Sequence, residues 1–300
     1  MEIIQNTSYE KLCDTTWKEG DLPPDGSVVH VNLDEIVPFF DKVKRSDKVY
    51  SVISSNSDYG ICYQNDYPVN KDMLSWLKFV DCKGIGYNSL VIPSRCDIEQ
   101  CRITDIYSIK MYSFTKFTFD EIPANIKKWF CVNSNIEDSR IVNIPFGIPS
   151  WSEPLLKITA KDKSLYVNMM LNTVERASLM NYYRQYTHND LICEKEVSHE
   201  RFIDCLARSR MILASSGNGW DQYRILESLY CGSIPIVSKG IWNKAYDRLP
   251  VIALDSLYLD INEINLIFDE LNSKANWDLT NTYADLNYWR NQVNQARDLL

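Results

Sequence analysis

The stretch Ser215–Val237, SSGNGWDQYRILESLYCGSIPIV, concentrates side chains and backbone suited to a charged, hydroxyl-bearing ligand. Small and polar residues, Ser215, Ser216, Gly217, Asn218 and Gly219, form a loop after the apolar run Met211–Ala214, and a helix is expected from Asp221 to Tyr230. Glycine permits unusual φ and close backbone approach, so Gly217 and Gly219 are candidates for contact with a ligand. The amides that open the helix carry partial positive charge suited to phosphate. Arg224 and Glu227 are three residues apart, and Arg224 and Ser228 four, so they share a helix face. A guanidinium can hold a diphosphate in bidentate fashion. One fixed carboxylate, Glu227, can accept hydrogen bonds from two ribose hydroxyls. Gly232 is expected to end the helix as its C′ residue, with Pro235 in the strand that follows.

The elements that must position this loop alternate between strand and helix. In the first half, Val28–Asn32 and Val49–Ser54 read as buried strands and Asp34–Lys44 as a helix. Lys71–Val80 has helical spacing, Lys83–Asp120 reads as short elements and loops, and Trp129–Asn133 and Ile141–Ile144 close the half. Pro145–Pro154 (PFGIPSWSEP) holds three prolines and a glycine and is expected to stop regular structure. The second half reads as strands Leu165–Met169, Leu191–Cys193, Met211–Ala214, Ile234–Val237 and Val251–Leu254. Its helices are expected over Thr173–Tyr186, Ser198–Arg208 with Ser198 as N-cap, Asp221–Tyr230, Ile261–Leu271 and Tyr283–Leu300. Such alternation implies parallel βαβ units. The expected organisation is α/β: two Rossmann-like domains, residues 1–150 and 151–300, facing across a cleft, with the last helix able to pack back on the first. The Ser215–Trp220 loop then lies at the carboxyl end of a parallel strand, where open α/β sheets bind ligands.

Composition narrows the partners. A net charge of −8 and no basic run argue against nucleic acid and against an anionic membrane surface. Nine scattered cysteines without a CxxC pair, and three dispersed histidines, make no zinc pattern. Free thiols in a reducing compartment are expected, with Cys96 and Cys101 the one close pair. The N-terminal residues lack a signal-peptide pattern and no apolar run nears the ~20 residues of a membrane span, so a cytoplasmic location is expected. Gly84–Gly86 lacks the third glycine of a dinucleotide fingerprint. No Asp-x-Asp, Walker A or Gly-x-Ser-x-Gly pattern occurs. His188 and His199 read as surface groups, and His30, in a strand at the expected cleft, as a satisfied core histidine against the alternative of a general base.

The spacing G-N-G-x-D-x-x-R-x-x-E-x-x-x-x-G-x-I-P-I-V resembles the donor-site signature of GT-B glycosyltransferases, particularly the exostosin-like group, which includes short viral and bacterial enzymes. The resemblance implies that Glu227 contacts the nucleotide ribose and Arg224 neutralises the diphosphate, with Ser215, Ser216, Gly217, Asn218, Gly219 and Asp221 also binding the donor. Leu165–Arg176 (LYVNMMLNTVER) resembles the first βα turn of the donor domain, which implies that Arg176 reaches the donor phosphates. Ser54–Tyr59 (SSNSDY) resembles an acceptor-domain segment and makes Asp58 the candidate base for an inverting transfer, against the reading of an Asx-type turn. Ile141–Ile148 resembles the hand-over between domains, a matter of hinge geometry. What the resemblance implies is transfer of a sugar from a UDP- or GDP-linked donor to a glycan hydroxyl, with no metal and no other cofactor. The alternatives are a catalytically inactive glycan- or nucleotide-binding module and a sugar-nucleotide epimerase. Oligomeric state is not readable.

Overall fold

Among the described residues, two five-stranded sheets with every strand pair parallel carry the chain. The computed structural model describes residues 1–55, 60–63, 115–119, 121–170, 174–186, 189–195, 197–217, 219–260, 264, 266 and 282–300. The expected helices Lys71–Val80 and most of Ile261–Leu271 lie outside the described residues, as do Asp58, Asn218, His188, Cys96, Cys101 and the Gly84–Gly86 pair.

The first sheet comprises β1 (Thr15–Trp17), β2 (Ser27–Val31), β3 (Tyr50–Ser54), β6 (Ile126–Cys131) and β7 (Ile141–Asn143), laid side by side in that order. A separate parallel pair is formed by β4 (Gly60–Tyr63) and β5 (Thr115–Phe119), the latter within the stretch expected to hold short elements and loops. β1 was not anticipated from sequence. It is an edge strand of three residues, too short for a periodic signal. β2 and β3 are buried at every position, as strands covered on both faces must be, and their Val and Ile content follows from that. Helix α1 (Ile36–Val43) buries Ile36, Phe39, Phe40 and Val43, one apolar stripe at helical spacing. Phe39 packs on Trp17 and Tyr50, with ring centroids 5.1 and 5.7 Å apart, and Phe40 packs edge-on to Trp129 at 5.0 Å.

The second sheet holds β8 (Lys163–Asn168), β9 (Leu191–Glu194), β10 (Ser209–Leu213), β11 (Ile234–Ser238) and β12 (Ile252–Leu254) in the order β9-β8-β10-β11-β12. The chain steps outward from β8 to β9, then returns past β8 to lay down β10. That reversal opens a crevice beyond the carboxyl ends of β8 and β10, the position where open α/β sheets take ligands. Among the described strands, the first sheet runs outward without reversal. Among the described residues, three helices belong here: α2 (Val174–Arg184), α3 (His199–Arg208) and α4 (Tyr223–Tyr230). Ser198 caps α3 as expected, its hydroxyl accepting from the Arg201 amide at 3.2 Å. Gly232 ends α4 at φ +69°, with Ser233 N–H bonded to Ser228 O (2.8 Å) and Gly232 N–H to Leu229 O (3.0 Å), the paired bonds of a Schellman motif. The helix starts at Tyr223, two residues later than expected, and Gln222 takes the N-cap position.

One apolar cluster joins the first sheet to Ile225, Leu226 and Leu229 of α4 and to Leu286, Trp289, Val293 and Ala296 of the last helix, α5 (Leu286–Arg297). Arg297 of α5 pairs with Asp14 at 2.7 Å and donates to Leu12 O, so the C-terminal helix rests on the N-terminal half. The Pro-rich segment is stitched to the N-terminus: Asn6 N–H bonds to Ile148 O and Ile148 N–H to Ile4 O, each at 2.9 Å. Gly147 sits there at φ +86°, and a Cβ on it would stand 2.6 Å from the Gln5 backbone, so only glycine fits. Among the described residues no helix is long and apolar enough to cross a membrane.

Candidate functional site

A cavity of about 410 Å³ opens at the β8/β10 crevice. Its walls come from four places in the chain: the Pro-rich segment, the ends of β8 and α2, the head of α3, and the β10–α4 connection. Of the residues nominated from sequence, Arg176, Gly217, Gly219, Asp221, Arg224 and Glu227 line it. Ser215 and Ser216 are buried behind it, and Asp58 and Asn218 lie outside the described residues.

Each nominated group has a definite environment. Arg176, 5% exposed, reaches from α2 to donate to Ser215 O at 3.0 and 3.3 Å and to Gln222 Oε1 at 2.8 Å. Gln222 Nε2 donates to the same Ser215 carbonyl at 2.5 Å. The strand-to-helix loop is therefore clamped from one side by a charged side chain. Gly217 is not in the left-handed region; its lack of a side chain matters because a Cβ would come within 2.6 Å of the Arg176 guanidinium. Ser215 Oγ donates to Met169 Sδ at 3.3 Å, and Ser216 Oγ to Trp220 O at 3.3 Å, so both hydroxyls are turned into the protein.

Asp221 is buried and also faces inward. Its carboxylate accepts from Phe146 N–H (2.8 Å), Gln222 N–H (2.6 Å) and the Tyr246 hydroxyl (2.7 Å to each oxygen), while its own N–H donates to Asn133 Oδ1 at 2.6 Å. Burial pushes its carboxyl up to about 7, against these donors. The residue ties α4's entrance to the Pro-rich segment and to the β6–β7 connection.

Arg224 and Glu227 make up the far wall. Both are drawn into the cavity wall. Arg224 lies over the Phe202 ring, 5.5 Å from its centroid, a cation–π contact. Its Nη1 is buried with no hydrogen-bond partner among the described residues. Burial lowers its proton affinity while the Glu227 charge raises it, and an arginine stays charged in either case. Glu227 is 2% exposed and accepts from Ser152 Oγ at 2.6 Å. His199 Nε2 stands 2.8 Å from the same Ser152 Oγ and 3.5 Å from Glu227 Oε1. Burial pushes the Glu227 carboxyl upward, opposed by the Ser152 hydrogen bond and by the charges of His199 and Arg224.

His199 is a correction to the sequence reading, which placed it on the surface. It is half-buried in the cavity wall and ring-stacked near Phe202 at 5.8 Å, because the Ser198 cap fixes it at the head of α3. All three groups of the Ser152–His199–Glu227 cluster meet at one imidazole nitrogen. A nucleophilic triad uses the two nitrogens separately, so this is a carboxylate-holding arrangement. His30 is buried as expected, with Nε2 3.1 Å from Ser55 Oγ, but its Nδ1 has no hydrogen-bond partner among the described residues.

Sequence reasoning also missed Phe146, Trp151 and Ser152, having read the Pro-rich segment as a domain boundary. Phe146 stacks on Tyr223 at 4.9 Å, and Trp151, 63% exposed, stands in the cavity wall. An exposed tryptophan inside a run of turn residues was the one available signal. Chemically the site offers an unmet guanidinium donor, a second guanidinium close behind, a fixed carboxylate and aromatic faces. That set matches an anionic ligand carrying hydroxyls and a flat ring. Among the described residues no group of histidine, cysteine, aspartate and glutamate side chains is arranged to hold a metal.

No protein-family model matches the chain, and no curated protein matches it in sequence. Among solved structures the chain is similar to one from the GtfA/B complex, at 11% identity with a TM-score of 0.34, over 92% of this chain and 58% of that one. The chain thus spans little more than half the length of that neighbour, and an overlap of this quality carries no weight for the activity. The functional reading rests on the cavity.

Proposed function

We propose that the chain is a GT-B glycosyltransferase of the exostosin-like kind, moving a sugar from a nucleoside-diphosphate donor to a hydroxyl of a glycan acceptor. The observation that carries this is Arg224 with a buried, unpartnered Nη1 one helix turn from the buried Glu227 carboxylate, both in the wall of the cavity at the strand-order reversal. In this reading the diphosphate meets Arg224 and the opening of α4, with Arg176 adding positive charge from behind the Ser215–Gly217 loop. Glu227 takes the ribose hydroxyls in place of Ser152. Trp151 offers a face to the base. As the bond to the sugar breaks, negative charge builds on the departing diphosphate, and fixed guanidinium groups stabilise it without reorganising. Direct displacement inverts the anomeric centre, with Asp58 as the proposed base on the acceptor side and residues 1–150 and 151–300 as acceptor and donor domains. No metal enters the scheme, because the arginines and the helix opening offset the leaving-group charge.

Calorimetric titration with UDP and GDP tests the donor site. Charge-assisted hydrogen bonds contribute about 1.5–3 kcal/mol, so Arg224→Ala and Glu227→Ala should each weaken the preferred nucleotide by about 10- to 100-fold. Unchanged affinity in both variants rejects the assignment. Tight binding with no turnover across donor sugars would favour a binding module on the same scaffold.

A further inference from the structure

A second hollow, of about 270 Å³, lies where the edge strand β7, the 241–249 segment and α5 meet. It shares no lining residue with the β8/β10 cavity. Its floor is Asn143, 8% exposed, the last residue of β7. The Asn143 amide donates weakly to Ile241 O at 3.4 Å, and its Oδ1 is buried with no partner among the described residues. A buried acceptor left unmet is uncommon and points to something that completes it. One wall is aromatic: Tyr283 and Tyr288 meet edge-to-face at 4.7 Å, and Tyr288 meets Trp289 at 5.0 Å. The rim is polar. Arg248 lies over the Tyr283 ring at 5.0 Å and donates to its hydroxyl at 2.6 Å; Lys244, paired with Glu137 at 3.0 Å, the exposed carboxylate Asp247 and Gln292 also line it.

The chemistry of these walls narrows the occupant. The Asn143 oxygen calls for a donor, which a phosphate or carboxylate cannot supply. The Arg248 and Lys244 groups on the rim call for acceptors. Tyr288 and its neighbours call for an apolar face. A sugar ring combines all three, since its hydroxyls donate and accept and its C–H face is apolar. The volume sits just below the ~300–1,000 Å³ of drug-sized ligand pockets, so one ring fits and a nucleotide does not. We propose that this hollow binds one ring of a neutral glycan, apart from the transfer site. The assignment rests on the wall chemistry and stands independently of the nucleotide reading.

The test is saturation-transfer NMR on the intact chain with methyl glycosides of glucose, galactose, mannose, xylose and N-acetylglucosamine. At least one should receive magnetisation on its ring protons. Its binding should weaken at least about tenfold in both Tyr288→Ala and Arg248→Ala, and persist in Glu227→Ala. Arg248 is exposed, so its loss leaves folding intact if Tyr288→Ala does not fold. UDP titration of the same variants is the separate control for the donor cavity. No transfer to any of the five glycosides, or transfer that survives Arg248→Ala unchanged, overturns the proposal.

Discussion

Asp221→Asn sets two physical effects against each other at one residue. Burial favours the neutral carboxyl, whereas two backbone N–H groups and the Tyr246 hydroxyl favour the carboxylate. With burial dominant, the folded-state value is about 7 against an ordinary 3.8. The sign follows directly. The folded chain holds a proton that the unfolded chain has released, so this group's stabilising contribution is complete below about pH 3.8 and is lost as pH rises through about 7. Three pKa units at 1.36 kcal/mol each make the full swing about 4 kcal/mol, an upper figure because a little water entry at the buried site would shrink it. An asparagine does not titrate. The stability of the wild-type chain relative to Asp221→Asn, from urea unfolding at steps between pH 4 and 8, should therefore fall by up to about 4 kcal/mol. Taking the difference cancels every other titrating group. If the wild type instead gains on the variant as pH rises, the hydrogen bonds outweigh burial and the reasoning is refuted. Because both carboxylate oxygens face Phe146, Gln222 and Tyr246, nucleotide affinity should change far less in this variant than in Glu227→Ala.

Gly147→Ala should cost about 3 kcal/mol or more in urea unfolding, combining a left-handed φ of +86° with a Cβ forced to 2.6 Å from the Gln5 backbone, which cannot rotate away; a cost under 1 kcal/mol would show that the segment relaxes freely. Ser152→Ala removes the hydroxyl that donates to Glu227 at 2.6 Å and leaves a buried carboxylate short of a donor, which should lower stability by about 1–3 kcal/mol. Saturating UDP should recover part of that loss by restoring donors to Glu227, read as a larger rise in Tm than in the wild type; an equal rise argues that the nucleotide does not reach Glu227.

Local signals in this sequence were strong where a short-range rule governs. The α1 stripe, the Ser198 cap, the Gly232 stop and the buried strands each follow from steric or hydrogen-bond needs met within a few residues. The spacing of Arg224 and Glu227 put them on one helix face for the same reason. Edge strand β1 was too short to announce itself, and the helix starts at Tyr223 in place of Asp221, whose carboxylate is engaged by Phe146 and Tyr246. Only the tertiary structure decided which way those side chains turn. Ser152, His199 and Glu227 are far apart in the chain, and no periodicity links them; they meet because the Pro-rich segment, α3 and α4 all end beside the same crevice. The crevice itself comes from the strand order β9-β8-β10, which alternating strand and helix signals leave undetermined, since parallel units can be laid down on either side of the first strand. Residue spacing thus set the chemical groups on their elements, and the non-local order of strands set them facing one another.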